Sequence, residues 1–140
     1  MATVELSFSP LPAHVRTARL VATAVARRSG VDESLLDVVR LAVGEACSRA
    51  VEGHQLHCPA EPVRLSLTDS ADRFEVEVID NCAPGAAGPA GTDGRGGAQA
   101  LPAGLGIAVI TGLADDVEIS ETAAGTSIRM SWPSARAVRT

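Results

Sequence analysis

The hydrophobic residues of this chain follow two spacings, and the order of these spacings restricts the fold more than any other feature. Apolar side chains occupy every second position in residues 3–8, 63–68 and 73–80, which is typical of strands with one buried face. Residues 12–30 and the segment after Asp32 carry apolar side chains at helical spacing instead. The sequence therefore predicts the order strand, helix, helix, strand, strand.

The ends of the two predicted helices carry residues that favour helix starts and stops. Pro12 suits a first turn because its missing N–H would have no intrahelical acceptor, and Gly30 is a common helix stop. Asp32 is a typical N-cap for the second helix. The predicted core-facing residues are Val15, Ala18, Val21, Ala22 and Val25 in the first helix, and Leu35, Val39, Ala42, Val43, Ala46 and Ala50 in the second.

The second half of the chain begins with a segment that has no regular hydrophobic spacing. Residues 82–102 are so rich in Gly, Ala and Pro that we expect a flexible lid over a functional site. A short helix at 103–116 and strands at 117–120 and 126–132 are predicted to follow. Helices on one face of a mainly antiparallel sheet make the predicted fold class α+β, a two-layer sandwich.

The length and charge of the chain exclude several classes of protein. A chain of 140 residues is enough for one domain, which we place at residues 1–133, with a loose tail at 134–140. A net charge of −5 argues against nucleic-acid binding, which needs a concentrated basic surface. No apolar run reaches the roughly 20 residues of a membrane span, and the first residues lack the order of a signal peptide. We expect a cytoplasmic protein without direct nucleic-acid or membrane contacts.

One edge of the second predicted helix carries opposite charges one turn apart. Glu45 and Arg49 lie at the border of the apolar stripe, and two interpretations are open. In the first, they form an i, i+4 ion pair, which is worth only about 0.2 to 0.5 kcal/mol. In the second, Glu45 stands at the edge of a cleft, where a carboxylate suits general-base chemistry or a metal site.

The segment "HQLHC" places imidazole and thiol groups close together. His54, His57 and Cys58 are too crowded for the usual tetrahedral zinc spacing, so we expect an exposed loop and no metal site. Three irregularly spaced cysteines do not suggest a disulfide framework, which fits a reducing compartment. Cys47 is expected to pack in the core, whereas the reactivity of Cys82 is left open.

Four segments together resemble a known family of ATPases. "LAVGEACSRAVEGH" (41–54) resembles the N box of the GHKL, or histidine-kinase-like, ATPases, specifically the RsbW-type anti-sigma factor kinases. "VEVID" (76–80) is similar to the strand that carries the family's adenine-binding Asp. "GLGIAVITGLADDVEIS" (104–120) and "AGTSIRM" (124–130) resemble the Gly-x-Gly helix with its following strand, and the closing Gly-Thr strand. The segments occur in the family's order, so the resemblance implies the GHKL, or Bergerat, ATPase fold.

The resemblance also implies an ATP site under the lid. Glu45 would accept the proton of a Ser hydroxyl or orient a water molecule, Asp80 would accept from the adenine amino group, and Thr126 would support the adenine end. The implied phosphate-binding residues are Gly104, Leu105 and Gly106. Backbone N–H groups at a helix start do attract anions, but "GLG" is also common in ordinary turns.

The sequence departs from the family pattern at two places in this implied site. Arg49 stands where the family has an Asn that ligates Mg²⁺, and a guanidinium has donors but no acceptor. Either Mg²⁺ is held without this ligand, or Arg49 contacts the phosphates, or the site is degraded. Cys82 and Pro84 stand in glycine positions, and proline cannot reproduce a turn that needs positive φ, which puts adenine packing in question.

A regulatory role follows from the same resemblance. RsbW-type proteins bind a sigma factor so that it cannot join RNA polymerase, and active members phosphorylate a Ser on a small STAS-type anti-anti-sigma protein. Arg19 lies near the position where the family's first helix contacts partners, and Arg16 shares its stripe, although a solvated basic face is the ordinary alternative. Family members are often dimers, but no heptad pattern here indicates a homodimer.

Three functions stay open on the sequence alone. The favoured function is that of an anti-sigma factor, which works chiefly by sequestering a sigma factor and is controlled by an antagonist. A nucleotide-free pseudokinase would act only through this protein binding. The second is a competent serine kinase of the same family, despite Arg49. The third is an orphan ATP-binding module, such as a detached catalytic domain of a sensor kinase.

Overall fold

The computed structural model describes residues 2–70, 72–80, 109–122 and 125–134. These residues form two long helices, five strands and a helical stretch at 109–113. The elements are β1 (Ala2–Phe8), α1 (Pro12–Ser29), α2 (Glu33–His57), β2 (Val63–Ser70), β3 (Arg73–Asp80), β4 (Asp116–Thr122) and β5 (Gly125–Pro133). The predicted strands and both long predicted helices are therefore confirmed, with small differences at their ends.

The five strands form one antiparallel sheet in the order β1-β2-β3-β5-β4. β1 pairs with β2 although both long helices lie between them in sequence, and these helices pack on the central strands β2 and β3. The β4–β5 hairpin closes at Thr122 opposite Gly125, whose φ of 147° lies in a region that favours glycine. The predicted α+β class, with helices layered on a mainly antiparallel sheet, is confirmed.

The turn between the two helices is fixed by the residues that the sequence suggested. Gly30 has a φ of 94°, and its N–H donates to the carbonyl of Arg27 at 3.2 Å, which ends α1. The Asp32 carboxylate accepts from the backbone N–H of Ser34 at 3.0 Å and begins α2. Hydrogen bonds from the Ser34 hydroxyl and N–H lower the pKa of Asp32. Two adjacent caps therefore join the helices within a few residues.

The core lies between the helices and one face of the sheet. Alternate residues of β2 and β3 are buried, as their spacing predicts. On α1, the most buried positions are alanines that allow close approach of the helix, while Val21 and Val25 are only partly buried. On α2, Leu36 is buried in place of Leu35. The largest fully buried side chains include Trp132, Phe74, Leu65, Leu67, Ile110 and Met130.

Several expectations concern residues outside the described ranges. These are the lid at 82–102, the phosphate-binding segment 104–106 and the tail beyond Ser134. The helical stretch at 109–113 lies within the predicted third helix. The assignment of one domain to residues 1–133 stays a prediction. Within the part of the chain that is described, no helix has the length and hydropathy of a membrane span.

Trp132→Ala is expected to lower the free energy of unfolding by about 3 to 5 kcal/mol, because it leaves a cavity in the core. Trp132 is 1% exposed, stacks on Phe74 with ring centroids 6.3 Å apart, and donates from Nε1 to the Leu113 carbonyl at 3.2 Å. Urea denaturation followed by circular dichroism measures the change. Leu20→Ala is the control, since Leu20 is 57% exposed and its truncation should cost no more than about 0.5 kcal/mol. Equal losses from the two variants would contradict this description of the core.

Candidate functional site

A stripe along one side of α2 joins the charged edge of the helix to the sheet. Glu45, Arg49 and Gly53 recur every fourth residue and therefore share one side of the helix. Glu45 and Arg49 are both half-buried. Among the ion pairs of the described residues, none joins Glu45 to Arg49, so the simple intrahelical pair is not formed. The helical rise places Glu45 and Gly53 about 12 Å apart along the axis.

The far end of this stripe meets Asp80, the last residue of β3. Asp80 Oδ2 lies 3.7 Å from the point where a Cβ on Gly53 would stand, an ordinary van der Waals distance, so α2 and the carboxylate are in close contact at this position. The other carboxylate oxygen, Oδ1, lies 3.0 Å from His54 Nε2. The Asp80 side chain keeps 28% of its surface exposed. Asp80 is thus held by the helix and still reaches solvent.

Thr126 is the β5 residue directly opposite Asp80 in the sheet register. Both residues are half-buried, and both lie at the end of the sheet where β3 finishes. The structure therefore brings together the two residues that the sequence resemblance assigned to one end of a ligand. On the same stripe of α2, Arg49 lies about one turn and Glu45 about two turns from Gly53, the residue beside Asp80.

His54 is the residue at this site that sequence reasoning missed. The segment "HQLHC" was expected to be an exposed loop, but α2 continues to His57 and His54 has no exposed surface. Its Nδ1 lies 2.8 Å from the carbonyl oxygen of Glu61. The signal was available in the helical spacing, because Ala46, Ala50 and His54 recur every fourth residue on the buried side.

The described residues give no support for a metal at this segment. They contain no group of His, Cys, Asp and Glu side chains arranged to hold a metal ion. Cys58 is half-buried and takes part in a disulfide bond, which the sequence did not predict. Both ring nitrogens of His54 instead face protein oxygens.

A groove of about 340 Å³ lies between α1 and α2, and it contains both basic residues that were expected to contact partners. Arg16 is exposed, whereas Arg19 is half-buried because its aliphatic chain crosses α2. A Cβ added to Gly44 would stand only 2.6 Å from Arg19 Cδ, so Gly44 makes room for this side chain. The residues that line the groove are Pro12, Val15, Arg16, Arg19, Ser48, Val51, Glu52 and Gln55. None of them belongs to the Glu45–Arg49–Gly53 stripe.

Cys47 lies beneath this groove, inside the core. It has no exposed surface, which confirms the packing role predicted for it. Burial raises the pKa of the Cys47 thiol to about 12, and the positive charge of Arg19 acts weakly in the opposite direction. The thiol is therefore neutral and inert at physiological pH.

Comparison with protein families places these features in a known group. Residues 8–132 match the histidine kinase-like ATPase domain, so the chain belongs to the histidine kinase-like ATPase family. The family predicted from the four sequence segments is thereby confirmed. The implied phosphate-binding residues Gly104, Leu105 and Gly106 lie outside the described ranges, and their role stays a prediction.

A solved structure shows the same fold. The chain is similar to the RsbU and RsbW domains of Rv1364c from Mycobacterium tuberculosis, with a TM-score of 0.66 and 17% sequence identity. The similarity covers 94% of this chain and 32% of the solved chain, so this chain spans about a third of the length of the solved chain. No protein of curated function matches the chain.

The free energy of unfolding is expected to fall as the pH rises above about 9, by up to about 1.4 kcal/mol per pH unit. The unfolded chain loses the Cys47 proton near the ordinary pKa of 9.0, while the native thiol keeps it to about 12. Between these two pKa values the native state therefore binds more protons than the unfolded state. The stabilisation that comes from the buried Cys47 thiol is fully present only below about pH 9 and is lost as the pH rises. The chain has no Tyr and no Lys, and Cys47 is the free cysteine of the described residues, so few other side chains compete with it in this pH range.

Urea titrations between pH 8 and 11 measure this slope, with Cys47→Ala as the control. The variant should lose stability at every pH because of its cavity, but it should show a flatter dependence on pH. The same slope in the variant and in the wild-type protein would show that burial of Cys47 is not the cause.

Proposed function

We propose that this protein is an anti-sigma factor that sequesters a sigma factor and is controlled by a STAS-type anti-anti-sigma protein. The observation that carries the proposal is the division of α2 between two surfaces. The Glu45–Arg49–Gly53 stripe leads to Asp80, whereas Ser48, Glu52 and Gln55 face the groove with α1. A regulator of this class needs both a nucleotide-responsive site and a separate protein-binding surface.

The residues at the end of β3 fit the base of an adenine nucleotide. Asp80 offers a partly exposed carboxylate, and Thr126 lies beside it in the sheet. A carboxylate accepts strongly from an exocyclic amine, because a hydrogen bond to an ionised group is stronger than one between neutral groups. ATP is therefore the cofactor that we propose for this site. Asp80 and Thr126 would hold its base.

The other end of the stripe fits a conventional Mg-dependent kinase less well. Arg49 presents only N–H donors where a metal ligand would need an acceptor, so no Mg²⁺ ligand is proposed at this position. Glu45 is half-buried and would accept a proton from a Ser hydroxyl if phosphoryl transfer takes place. ATP supplies the phosphoryl group in such a reaction. We propose sequestration as the main activity and Ser phosphorylation of the antagonist as a secondary one.

The groove between α1 and α2 supplies the proposed partner surface. Arg16 and Arg19 give its α1 wall a positive charge, and Glu52 gives its α2 wall a negative one. Opposite charges across a groove favour one orientation of a bound segment, and they exclude partners of the wrong pattern. Because sigma factors act on RNA polymerase, the proposal places the protein in the cytoplasm.

ATP is expected to bind the purified protein, and Asp80→Ala is expected to weaken this binding by about tenfold or more. The substitution removes a charge-assisted hydrogen bond, which is worth roughly 1.5 to 3 kcal/mol. Isothermal titration calorimetry with and without Mg²⁺ measures the affinity. Arg49→Asn supplies an amide oxygen and should increase the Mg²⁺ dependence of binding.

Glu77→Ala is the control for Asp80→Ala, since Glu77 lies on the same strand but is not part of the site. Wild-type protein that binds no nucleotide under either condition would refute the cofactor part of the proposal. Sequestration of a sigma factor would then be the only activity left.

Arg16→Glu is expected to weaken binding to the sigma factor by about tenfold or more, because it reverses the charge of this position on the α1 wall of the groove. Biolayer interferometry against the sigma factors and STAS-type proteins of the source organism measures the affinity. Arg19→Met complements this test, since it removes the charge while keeping an unbranched side chain over Gly44. An Arg19→Glu variant is less suitable because Arg19 also packs between the helices.

The matched control is Arg64→Glu, which makes the same charge change at an exposed side chain of β2, outside the groove. Partner binding should survive this change. Equal losses from Arg16→Glu and Arg64→Glu would contradict the location of the surface. Failure of the wild-type protein to bind any sigma factor or STAS-type protein would refute the proposed function itself.

A further inference from the structure

Gly44 lies at the point where the side chain of Arg19 crosses α2. A Cβ placed on Gly44 would stand 2.6 Å from Arg19 Cδ, 3.3 Å from Cγ and 3.6 Å from Nε. Carbon atoms in contact lie about 3.5 to 4.0 Å apart, so an alanine at position 44 and the present Arg19 side chain would overlap. All three of these nearest atoms belong to Arg19. Gly44 therefore forms a notch in α2 that one side chain of α1 fills.

The Gly44 notch is unfavourable for the helix itself. Glycine is a weaker helix former than alanine, because its backbone loses more conformational freedom on folding. Elsewhere on the buried part of α2 the small residues include Ala42, Ala46 and Ala50, so a methyl group is accommodated at those positions. The glycine at position 44 is thus explained by the space that it leaves for Arg19. A residue that costs local stability at one place is often found where function requires it.

The notch restrains a long side chain at the edge of the groove. Arg16 and Arg19 both line the groove, but Arg16 is exposed whereas Arg19 is half-buried. Within the described ranges, the Arg19 guanidinium takes part in no ion pair. Fixing an arginine costs rotamer entropy, and a side chain that is already held by packing loses less of it when a partner binds. The notch therefore presents a preorganised positive charge to the groove.

We propose that Gly44 is a positioning residue that holds the Arg19 guanidinium in the arrangement that a partner protein meets. The inference rests on the partner surface described under Proposed function. It adds to that surface a residue that is not among those lining the groove. It also separates the two basic residues: Arg16 acts from an exposed position, whereas Arg19 acts from a position set by Gly44.

Gly44→Ala tests the inference because it changes no charge and removes no atom from the groove. The added methyl group must displace Arg19 from the notch, and Arg19 can leave it because its side chain is only half-buried. Affinity for the partner should fall by about tenfold, since the preset position of the charge is lost. The midpoint of urea denaturation should not fall, because alanine is the better helix former.

A double-mutant cycle shows whether the effect passes through Arg19. Arg19→Ala removes Cγ, Cδ and Nε, the three atoms that a Cβ on Gly44 would meet. In the Arg19→Ala background, Gly44→Ala should therefore change the affinity by no more than about twofold. Gly112→Ala is the matched control, since a Cβ at that position meets nothing within 4 Å, and it should bind partners as the wild-type protein does.

Biolayer interferometry of these variants, against the sigma factors and STAS-type proteins of the source organism, separates the inference from the proposed function. The inference is wrong if Gly44→Ala leaves the affinity unchanged, or weakens it equally with and without the Arg19 side chain. A loss of affinity with a matching fall in the urea midpoint would show a folding defect and would also overturn it. If the wild-type protein binds none of these proteins, the proposed function is refuted, and the role of Gly44 in partner binding fails with it.

NMR of the arginine Nε–H groups measures the restraint on Arg19 without a partner. The Arg19 and Arg16 signals are assigned by their loss in Arg19→Ala and Arg16→Ala. In the wild-type protein we expect a higher order parameter for Arg19 than for Arg16, and in Gly44→Ala we expect the Arg19 value to fall to that of Arg16. Equal order parameters for the two residues in the wild-type protein would overturn the inference, because the notch would then not restrain Arg19.

Discussion

The contact between His54 and Asp80 joins the helical layer to the sheet at the point where the candidate site begins. His54 lies on the buried side of α2, and Asp80 lies at the end of the central strand β3. A polar pair in this position loses hydration, and this cost is offset because each ring nitrogen has a hydrogen-bond partner in the protein. The same contact fixes the direction of the Asp80 carboxylate. The packing of the two layers and the orientation of this carboxylate are thus set by one interaction.

α2 is the central element of the described structure because each of its sides makes a different set of contacts. Its apolar side covers the sheet, one flank packs on α1 and lines the groove, and the other carries the stripe from Glu45 to Gly53. Because a helix is rigid over this length, a ligand at the stripe and a partner in the groove would both contact the same rigid element, α2. This arrangement is suited to a protein in which a nucleotide influences the binding of a partner.

Much of the fold was readable from local sequence patterns. Strand alternation, the caps at Gly30 and Asp32, and the alanine stripe of α1 are short-range signals, and each predicted its element correctly. The end of α2 was missed because His54, His57 and Cys58 suggest a polar loop when taken by residue type alone. The disulfide at Cys58 was missed as well, since spacing does not show which cysteines approach each other.

The sequence by itself determined the order of the elements, the α+β class and the family, because these depend on hydrophobic spacing and on short motifs. It also identified Glu45, Arg49, Asp80 and Thr126 as candidates. Only the tertiary structure decided that Thr126 on β5 lies opposite Asp80 on the neighbouring strand β3, and that His54 contacts one oxygen of the Asp80 carboxylate. These contacts join residues that are 46 and 26 positions apart, respectively. Contacts of this kind depend on strand register and on helix rotation, which local patterns do not specify.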